Sequence, residues 1–137
     1  MTDANIPTEP DHFDDVEMLE ERLSRTDAGV IADLAALDGD IMILGATGKM
    51  GPTLTRMARR AAPDKVIHAV ARYSDPSLFD TFKAQGIEPI KADLLDPEAL
   101  AKLPGARNVI MMAGYKFGAS DAPSRTWAIN TLMPARI

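Results

Sequence analysis

The chain has 137 residues, a formal net charge of −5, 46% hydrophobic residues and no cysteine. This length suits one domain, and the hydrophobic fraction is too high for an intrinsically disordered protein. The lack of cysteine excludes a disulfide framework and a thiolate metal site, and the negative charge disfavours binding to nucleic acid.

The first 39 residues predict an acidic arm followed by a helical extension. Eight acidic residues precede the first basic residue, Arg22, and residues 1–15 hold little that a core would bury. We interpret the arm as a solvated leader, with a docking tail for a basic partner as the alternative. Apolar residues then recur at spacings of three and four over residues 16–37. This pattern predicts one bent helix or two short ones, with a break near residues 27–29.

From residue 40 onward, strands and helices alternate at the spacing of βαβ crossovers. Strands are predicted at 40–44, 66–71, 87–92 and 108–112, and helices at 51–62, 75–84, 97–103 and 124–134. The strands are continuous apolar runs, as expected when helices cover both faces of a sheet. The pattern predicts an α/β fold, a Rossmann-type doubly wound parallel sheet over residues 40–137, preceded by the N-terminal helical extension.

The segment GATGKMG at residues 45–51 lies between the first predicted strand and the next helix. A Walker A phosphate loop would need glycine at position 43 and serine or threonine at position 50. The chain has Ile43 and Met50 there. An ATPase or GTPase is therefore disfavoured.

The same segment fits a dinucleotide-binding turn, G-x-x-G-x-x-G, between a strand and a helix. Gly45 would let the chain turn sharply, Gly48 would let the backbone approach a pyrophosphate, and Gly51 would let the helix pack on the sheet. Free N–H groups at the start of the helix would bind the pyrophosphate. A tight turn without a ligand is the alternative.

Five stretches of the sequence carry a family resemblance: ILGATGKMG (43–51), VAR (70–72), KADLLD (91–96), VIMMAG (109–114) and WAINT (127–131). Together they resemble the extended short-chain dehydrogenase/reductase superfamily, in particular the NAD-dependent epimerase/dehydratase family. The resemblance runs from about residue 40 to the C-terminus and implies a domain that binds NAD or NADP. The cofactor-binding loop would then comprise Gly45, Thr47, Gly48, Lys49, Met50 and Gly51.

In proteins of this kind, the residue that ends the second strand selects the cofactor. An acidic side chain there would bind the ribose hydroxyls of NAD. This chain has Arg72, a planar cation suited to a phosphate, with Ser74 and Lys49 nearby. We therefore favour NADP over NAD, although Asp75 weighs against that preference. An ordinary solvated arginine is the alternative for Arg72.

The resemblance also implies roles for residues after the third and fourth strands. Asp93 would face the adenine amino group while Leu94 packs on the ring; alternatively, Asp93 only caps the next turn. Ala113 and Gly114 would let the ribose and nicotinamide half pass close to the backbone. Asn130 would support a proton-relay water near the active site, or it is a helix surface residue.

The catalytic Tyr-x-x-x-Lys pair of the family is not present in residues 1–137. Ser77 stands four positions after Tyr73, and Ala119 stands four positions after Tyr115. His68 lies within a predicted strand, where a structural role is favoured over a catalytic one. We expect the Tyr–Lys pair beyond residue 137, so that this chain is the N-terminal part of a longer enzyme, with an incomplete Rossmann domain and no activity of its own.

Two functions stay open. One is the NAD(P)-binding part of an epimerase, dehydratase or reductase that uses hydride transfer, on a nucleotide sugar or a similar carbonyl or hydroxyl substrate. The other is a non-catalytic NAD(P)-binding sensor or scaffold. An exposed sheet edge would allow a homodimer.

The sequence carries no signal for a membrane or metal partner. No apolar run approaches the roughly 18 residues of a transmembrane helix, and no signal-peptide pattern is visible. No spacing typical of metal ligands is present. We therefore expect a cytoplasmic protein that binds no nucleic acid, membrane or metal.

Overall fold

The computed structural model describes residues 12–116, 118 and 120–137, so residues 1–11 of the arm predicted over residues 1–15 lie outside the described part. Four strands form one sheet in the order β3-β2-β1-β4: β1 Ile41–Leu44, β2 Ile67–Ala71, β3 Glu88–Lys91 and β4 Asn108–Met111. All neighbouring strands are parallel, and Ile43 pairs with Ala69 on one side and Ile110 on the other. The predicted Rossmann-type α/β fold is confirmed.

Helices fill the intervals between the strands. They are α1 Val16–Leu23, α2 Ala28–Ala36, α3 Gly51–Ala61, α4 Ser77–Ala84, α5 Pro97–Ala101 and α6 Pro123–Trp127. The N-terminal extension forms two short helices, because the Asp27 carboxylate accepts the Val30 N–H at 2.8 Å and starts α2 there. The segment predicted as one helix over 124–134 instead changes, after α6, to a π-helix at Ala128–Leu132 and a 3-10 turn at Pro134–Arg136.

Helices cover both faces of the sheet, as a doubly wound fold requires. Side chains of β1 alternate between two hydrophobic clusters, since successive residues of a strand point to opposite faces. Ile41 and Ile43 pack with Phe82 of α4 and Ala58 of α3. On the other face, the cluster consists of Met42, Leu44, Val70, Ala92, Leu94 and Met133. The central strands are thus buried on both sides.

The two outer strands do not match the prediction that every strand is covered on both faces. All residues of β1 and β2 are buried, whereas β3 and β4 are only partly buried. Val109 of β4, for example, is 46% exposed. The physical reason is their position, because in the described part of the chain each outer strand has a hydrogen-bonded neighbour on one side only.

Helix α1 is attached to α3 by charged side chains. Glu17 and Glu21 each accept a hydrogen bond from Arg56, at 2.9 and 2.7 Å. Glu21 also pairs with Arg60, and the latter guanidinium donates to the buried Ser24 hydroxyl at 2.9 Å. The acidic residues of α1 therefore meet basic residues of the same chain. This contact was not predicted, since the arm was interpreted as a solvated leader or a tail for a separate partner.

Candidate functional site

A cavity of about 640 Å³ opens above the carboxyl ends of the four strands. The strand order turns back at β1, which has β2 on one side and β4 on the other. In open α/β sheets, ligands bind in the crevice at such a reversal. The cavity also has the volume of an ordinary small-molecule site. Its position and size make it the candidate ligand site.

The glycine loop between β1 and α3 forms one wall of this cavity. Gly45 has a φ of +90°, and a Cβ atom there would lie 2.5 Å from the backbone nitrogen of Ala113. A Cβ at Gly51 would overlap the carbonyl of Ala46. Gly45 is therefore required by the turn, and Gly51 by the close approach of the start of α3 to the Ala46 carbonyl.

Gly48 differs from its two neighbours in the loop. Its φ is not in the left-handed region, and a Cβ there would meet one atom, the Gly45 carbonyl oxygen at 3.3 Å. Gly48 lines the cavity. The fold therefore constrains position 48 less than positions 45 and 51, where a Cβ would overlap backbone atoms.

The same loop contributes backbone N–H donors. The Gly48 N–H is used within the turn, where it donates to the Gly45 carbonyl at 3.0 Å. Among the described residues, the N–H groups of Thr47, Lys49 and Met50 find no acceptor. They lie where the loop runs into the N-terminus of α3. Unpaired N–H groups at a helix start favour an anionic ligand.

The end of β2 contributes Arg72 and Ser74, which are exposed and line the cavity. Between them, Tyr73 adopts a φ of +48° and turns into the core, where its hydroxyl donates to the Ala69 carbonyl at 2.7 Å. Burial raises the pKa of the Tyr73 phenol well above its usual value. In the described part of the chain Arg72 has no carboxylate partner.

In the described part of the chain, the Asp75 carboxylate does not form an ion pair with Arg72. Its carboxylate accepts the Ser77 N–H at 2.9 Å at the start of α4. Hydrogen bonds from the Ser77 side chain and backbone hold the pKa of the Asp75 carboxyl below its usual value. One oxygen of the acidic neighbour that weighed against NADP is therefore engaged with the Ser77 N–H.

Asp93 and Leu94, after β3, both line the cavity. One Asp93 oxygen accepts the Leu95 N–H at 3.0 Å, so this carboxylate does cap the following turn. Asp93 is nevertheless exposed at the cavity wall, whereas Leu94 is 6% exposed and also packs in the core. Capping and ligand contact are compatible here, because the cap uses one carboxylate oxygen.

After β4, Ala113 and Gly114 continue the cavity wall. Asn130, placed in the π-helix, accepts the Tyr115 N–H at 2.7 Å and donates to the Tyr115 carbonyl at 2.8 Å. Its amide thus holds the loop after β4 in place. Single-turn π-helices are frequent at functional sites.

Three predicted cofactor residues do not line the cavity with the others. They are Lys49, Met50 and Gly51. Lys49 and Met50 have exposed side chains, with Met50 at 69%. Both residues follow Gly48 directly in the loop, and Gly51 is the first residue of α3.

A sequence model of the NAD dependent epimerase/dehydratase family matches residues 41–137. The chain belongs to this family. Searches among curated proteins and among solved structures gave no significant match. Membership of the family implies that the chain binds a dinucleotide, NAD or NADP, and takes part in oxidoreductase-type function.

The residues of this family member fit the dinucleotide that the family implies. The cavity lining includes Thr47, whose N–H has no acceptor among the described residues, Gly48, and Arg72, which has no carboxylate partner among them. These features suit phosphate groups. No described helix is long and apolar enough to cross a membrane, and no cluster of potential metal ligands occurs among the described residues.

Sequence reasoning missed two polar residues of the cavity, Tyr115 and Arg125. The Arg125 guanidinium lies over the Tyr115 ring, 5.3 Å from the ring centroid. Tyr115 was considered only as half of a Tyr–Lys pair, and Arg125 was not singled out at all. The two positions are ten residues apart, and no local pattern links them.

Proposed function

We propose that this chain is the NADP-binding part of an epimerase/dehydratase or reductase-like oxidoreductase. The observation that carries the proposal is the cavity, where the glycine loop, Arg72 and the residues after β3 and β4 form one wall. The family supports NAD or NADP as the cofactor. The arginine favours NADP, because a planar, permanently charged guanidinium binds a phosphate through two parallel hydrogen bonds.

Each part of the wall would hold a different part of the dinucleotide. The loop from Gly45 to Gly51 would bind the pyrophosphate, with Gly48 leaving room for its approach. Arg72 and Ser74 would bind the 2′-phosphate. The side chain of Lys49 lies outside the cavity lining, so the phosphate assignment rests on Arg72 and Ser74.

The remaining wall would hold the two ends of the cofactor. Asp93 and Leu94 would contact the adenine, and Ala113 with Gly114 would face the nicotinamide half. When bound, the cofactor supplies or accepts a hydride. Asn130 would act indirectly, through the Tyr115 backbone that it holds.

For the substrate, we propose a nucleotide sugar or a similar carbonyl or hydroxyl compound. Of the two tyrosines, Tyr73 is unsuited to acid–base chemistry in the cavity, since its hydroxyl is buried and bonded to the Ala69 carbonyl. Tyr115 lines the cavity, but Ala119 stands where the family pattern has lysine. Residues 1–137 would therefore bind and orient the cofactor, and the Tyr–Lys pair would be supplied from elsewhere.

A fluorescence titration with NADPH and with NADH tests this function. We expect saturable binding of both, with NADPH the tighter. Arg72→Ala should weaken NADPH binding by about 10–100-fold, because a hydrogen-bonded charged pair contributes roughly 1.5–3 kcal/mol, and should leave NADH binding nearly unchanged.

Arg107→Ala is the matched control. Arg107 precedes β4 at the opposite end of the sheet and forms only an exposed pair with Asp38 at 3.4 Å. Absence of any dinucleotide binding would refute the proposed function. Unchanged NADPH affinity in Arg72→Ala would refute only the role of the arginine.

A further inference from the structure

Arg125 is a cation in the cavity without a carboxylate partner. It is an exposed residue on α6 and lines the cavity on the side of β4. Three arginines elsewhere in the chain are paired: Arg56 and Arg60 with Glu21, and Arg107 with Asp38. Within the described residues, Arg125 forms no salt bridge and its one recorded side-chain contact is the Tyr115 ring.

The backbone that carries the ring beneath this guanidinium is held by hydrogen bonds. Both backbone polar groups of Tyr115 are bound by the Asn130 amide, at 2.7 and 2.8 Å. The guanidinium rests over the aromatic face at 5.3 Å, a geometry in which the ring attracts the cation. Among the described residues, the N–H groups of Arg125 have no acceptor, and a guanidinium edge can bind a phosphate or carboxylate through two hydrogen bonds.

The cavity lining carries more positive than negative side chains, whereas the whole chain has a negative net charge. The chain has a net charge of −5, yet the charged residues that line the cavity are Arg72, Arg125 and Asp93. One oxygen of Asp93 is already engaged with the Leu95 N–H. A locally positive cavity in an acidic protein favours anionic ligands.

The two arginines lie on opposite sides of β1. Arg72 follows β2 and Arg125 follows β4, and these strands are separated by β1 in the sheet. Two strand spacings place the ends of β2 and β4 about 10 Å apart. The glycine loop lies between them and touches the loop after β4, where Gly45 abuts Ala113. Through its contact with Tyr115, Arg125 therefore lies on the β4 side of the glycine loop, whereas Arg72 lies on the β2 side.

We propose that Arg125, seated on the Tyr115 ring, binds an oxyanion (a phosphate or a carboxylate) carried by the substrate. The inference deepens the proposed function and rests on it, because it places an anionic substrate beside the nicotinamide half of the dinucleotide. Asn130 acts here as a positioning residue, because it holds the backbone of Tyr115.

Methyl phosphate and acetate serve as probes, and methanol as the uncharged control. The binding of each to the ¹⁵N-labelled 137-residue chain is followed by NMR through the arginine Nε–Hε signals, with and without saturating NADPH. We expect both anions to shift the Arg125 signal in either condition, and methanol to shift nothing. Arg125→Gln should weaken methyl phosphate binding by about tenfold or more, with NADPH affinity changed less than about twofold.

Three control variants sharpen the result. Arg107→Gln removes an exposed arginine at the opposite end of the sheet and should leave anion binding unchanged. Tyr115→Phe keeps the aromatic platform and should retain binding, whereas Tyr115→Leu should weaken it by about two- to fivefold.

Three outcomes would overturn the proposal. Unchanged methyl phosphate binding in Arg125→Gln would remove the subsite. Displacement of methyl phosphate by NADPH, or a parallel loss of NADPH affinity in Arg125→Gln, would assign Arg125 to the cofactor instead. If the chain binds no dinucleotide at all, the proposed function fails, and the titration without NADPH still reports whether the oxyanion subsite exists.

Discussion

The side-chain amide of Asn130 binds both backbone polar groups of Tyr115, fifteen residues earlier in the chain. One residue of a π-helix thereby fixes the loop that follows β4. The cavity wall on that side depends on this contact, since Ala113, Gly114 and Tyr115 are consecutive in it.

Replacement of Asn130 should therefore loosen the loop in proportion to the bonds that are lost. Asn130→Leu removes both hydrogen bonds and should lower the free energy of unfolding by about 1–2 kcal/mol, from two bonds of roughly 0.5–1.5 kcal/mol each at an exposed site. Asn130→Asp keeps the oxygen that accepts the Tyr115 N–H, so its effect should be smaller. Urea denaturation measures both. Equal stability of Asn130→Leu and the parent protein would contradict this account.

The glycines of the loop should separate folding from binding. Gly48→Ala should fold, with a loss below about 1 kcal/mol, because its Cβ would meet a single atom at 3.3 Å, and it should weaken NADPH binding tenfold or more. Gly45→Ala should lose more than about 2 kcal/mol of stability, since its φ of +90° and its contact with Ala113 both exclude a side chain.

Thermal unfolding and NADPH titration of the two variants provide the test. Full NADPH affinity in a folded Gly48→Ala protein would show that no ligand approaches the loop at that position. A stable Gly45→Ala protein would show that the turn is less constrained than its geometry indicates.

Attachment of α1 to α3 should depend on pH and salt. A hydrogen bond from Arg60 lowers the pKa of the Glu21 carboxyl. A carboxyl whose pKa is depressed on folding stabilises the folded form above its unfolded pKa, near 4.3, and loses that contribution as the pH falls through the folded value. Amide hydrogen exchange in α1 should therefore accelerate, after correction for the intrinsic rate, as the pH drops below about 4.3, and also in high salt.

Glu21→Gln should show faster exchange in α1 already at neutral pH. Glu98→Gln is the control, because Glu98 is an exposed glutamate in the first turn of α5. Exchange in α1 that is insensitive to salt, pH and Glu21→Gln would show that apolar contacts, not the charged pairs, hold this helix.

Tyr73 should limit stability at high pH. Burial raises the pKa of its phenol, while in the unfolded chain the pKa is near 10. A raised folded-state pKa means that stability is complete below pH 10 and falls as the pH rises beyond it, because the unfolded chain then releases a proton that the folded chain retains.

Tyrosinate absorbance measures this effect. The difference in absorbance between the parent protein and Tyr73→Phe isolates the titration of Tyr73. This difference should appear only as the protein unfolds. Tyr73→Phe should also cost about 0.5–1.5 kcal/mol at neutral pH, through loss of the bond to the Ala69 carbonyl. Reversible titration of Tyr73 in the folded protein would contradict its burial.

Local patterns in the sequence were sufficient for the fold. Alternating strands and helices predicted the sheet, and the strong apolar runs of β1 and β2 are indeed the buried centre of the molecule. The partial exposure of β3 and β4 could not be predicted from the sequences of these two strands. An edge position depends on strand order, which no single strand encodes.

The residues of the candidate site also differ in whether a local sequence pattern could predict them. The glycine loop and Arg72 were found because a strand, a turn and a helix are contiguous in sequence. The Asn130–Tyr115 contact and the position of Arg125 over Tyr115 join residues ten to fifteen positions apart across an irregular loop. The pairing of Glu21 with Arg60 spans 39 positions. Only the folded chain brings these partners together.

The contrast between Gly45 and Gly48 also has a meaning for the evolution of this chain. At position 45 the neighbouring Ala113 backbone leaves room for hydrogen alone, and at position 51 the Ala46 carbonyl does the same. We expect selection for folding alone to keep both glycines whatever the protein binds. Position 48 is less constrained by the fold, since a Cβ there would meet a single atom at 3.3 Å. A descendant that no longer bound a dinucleotide would keep Gly45 and Gly51 and would accumulate substitutions at position 48. The residue at position 48 would then indicate whether a related protein still binds the cofactor.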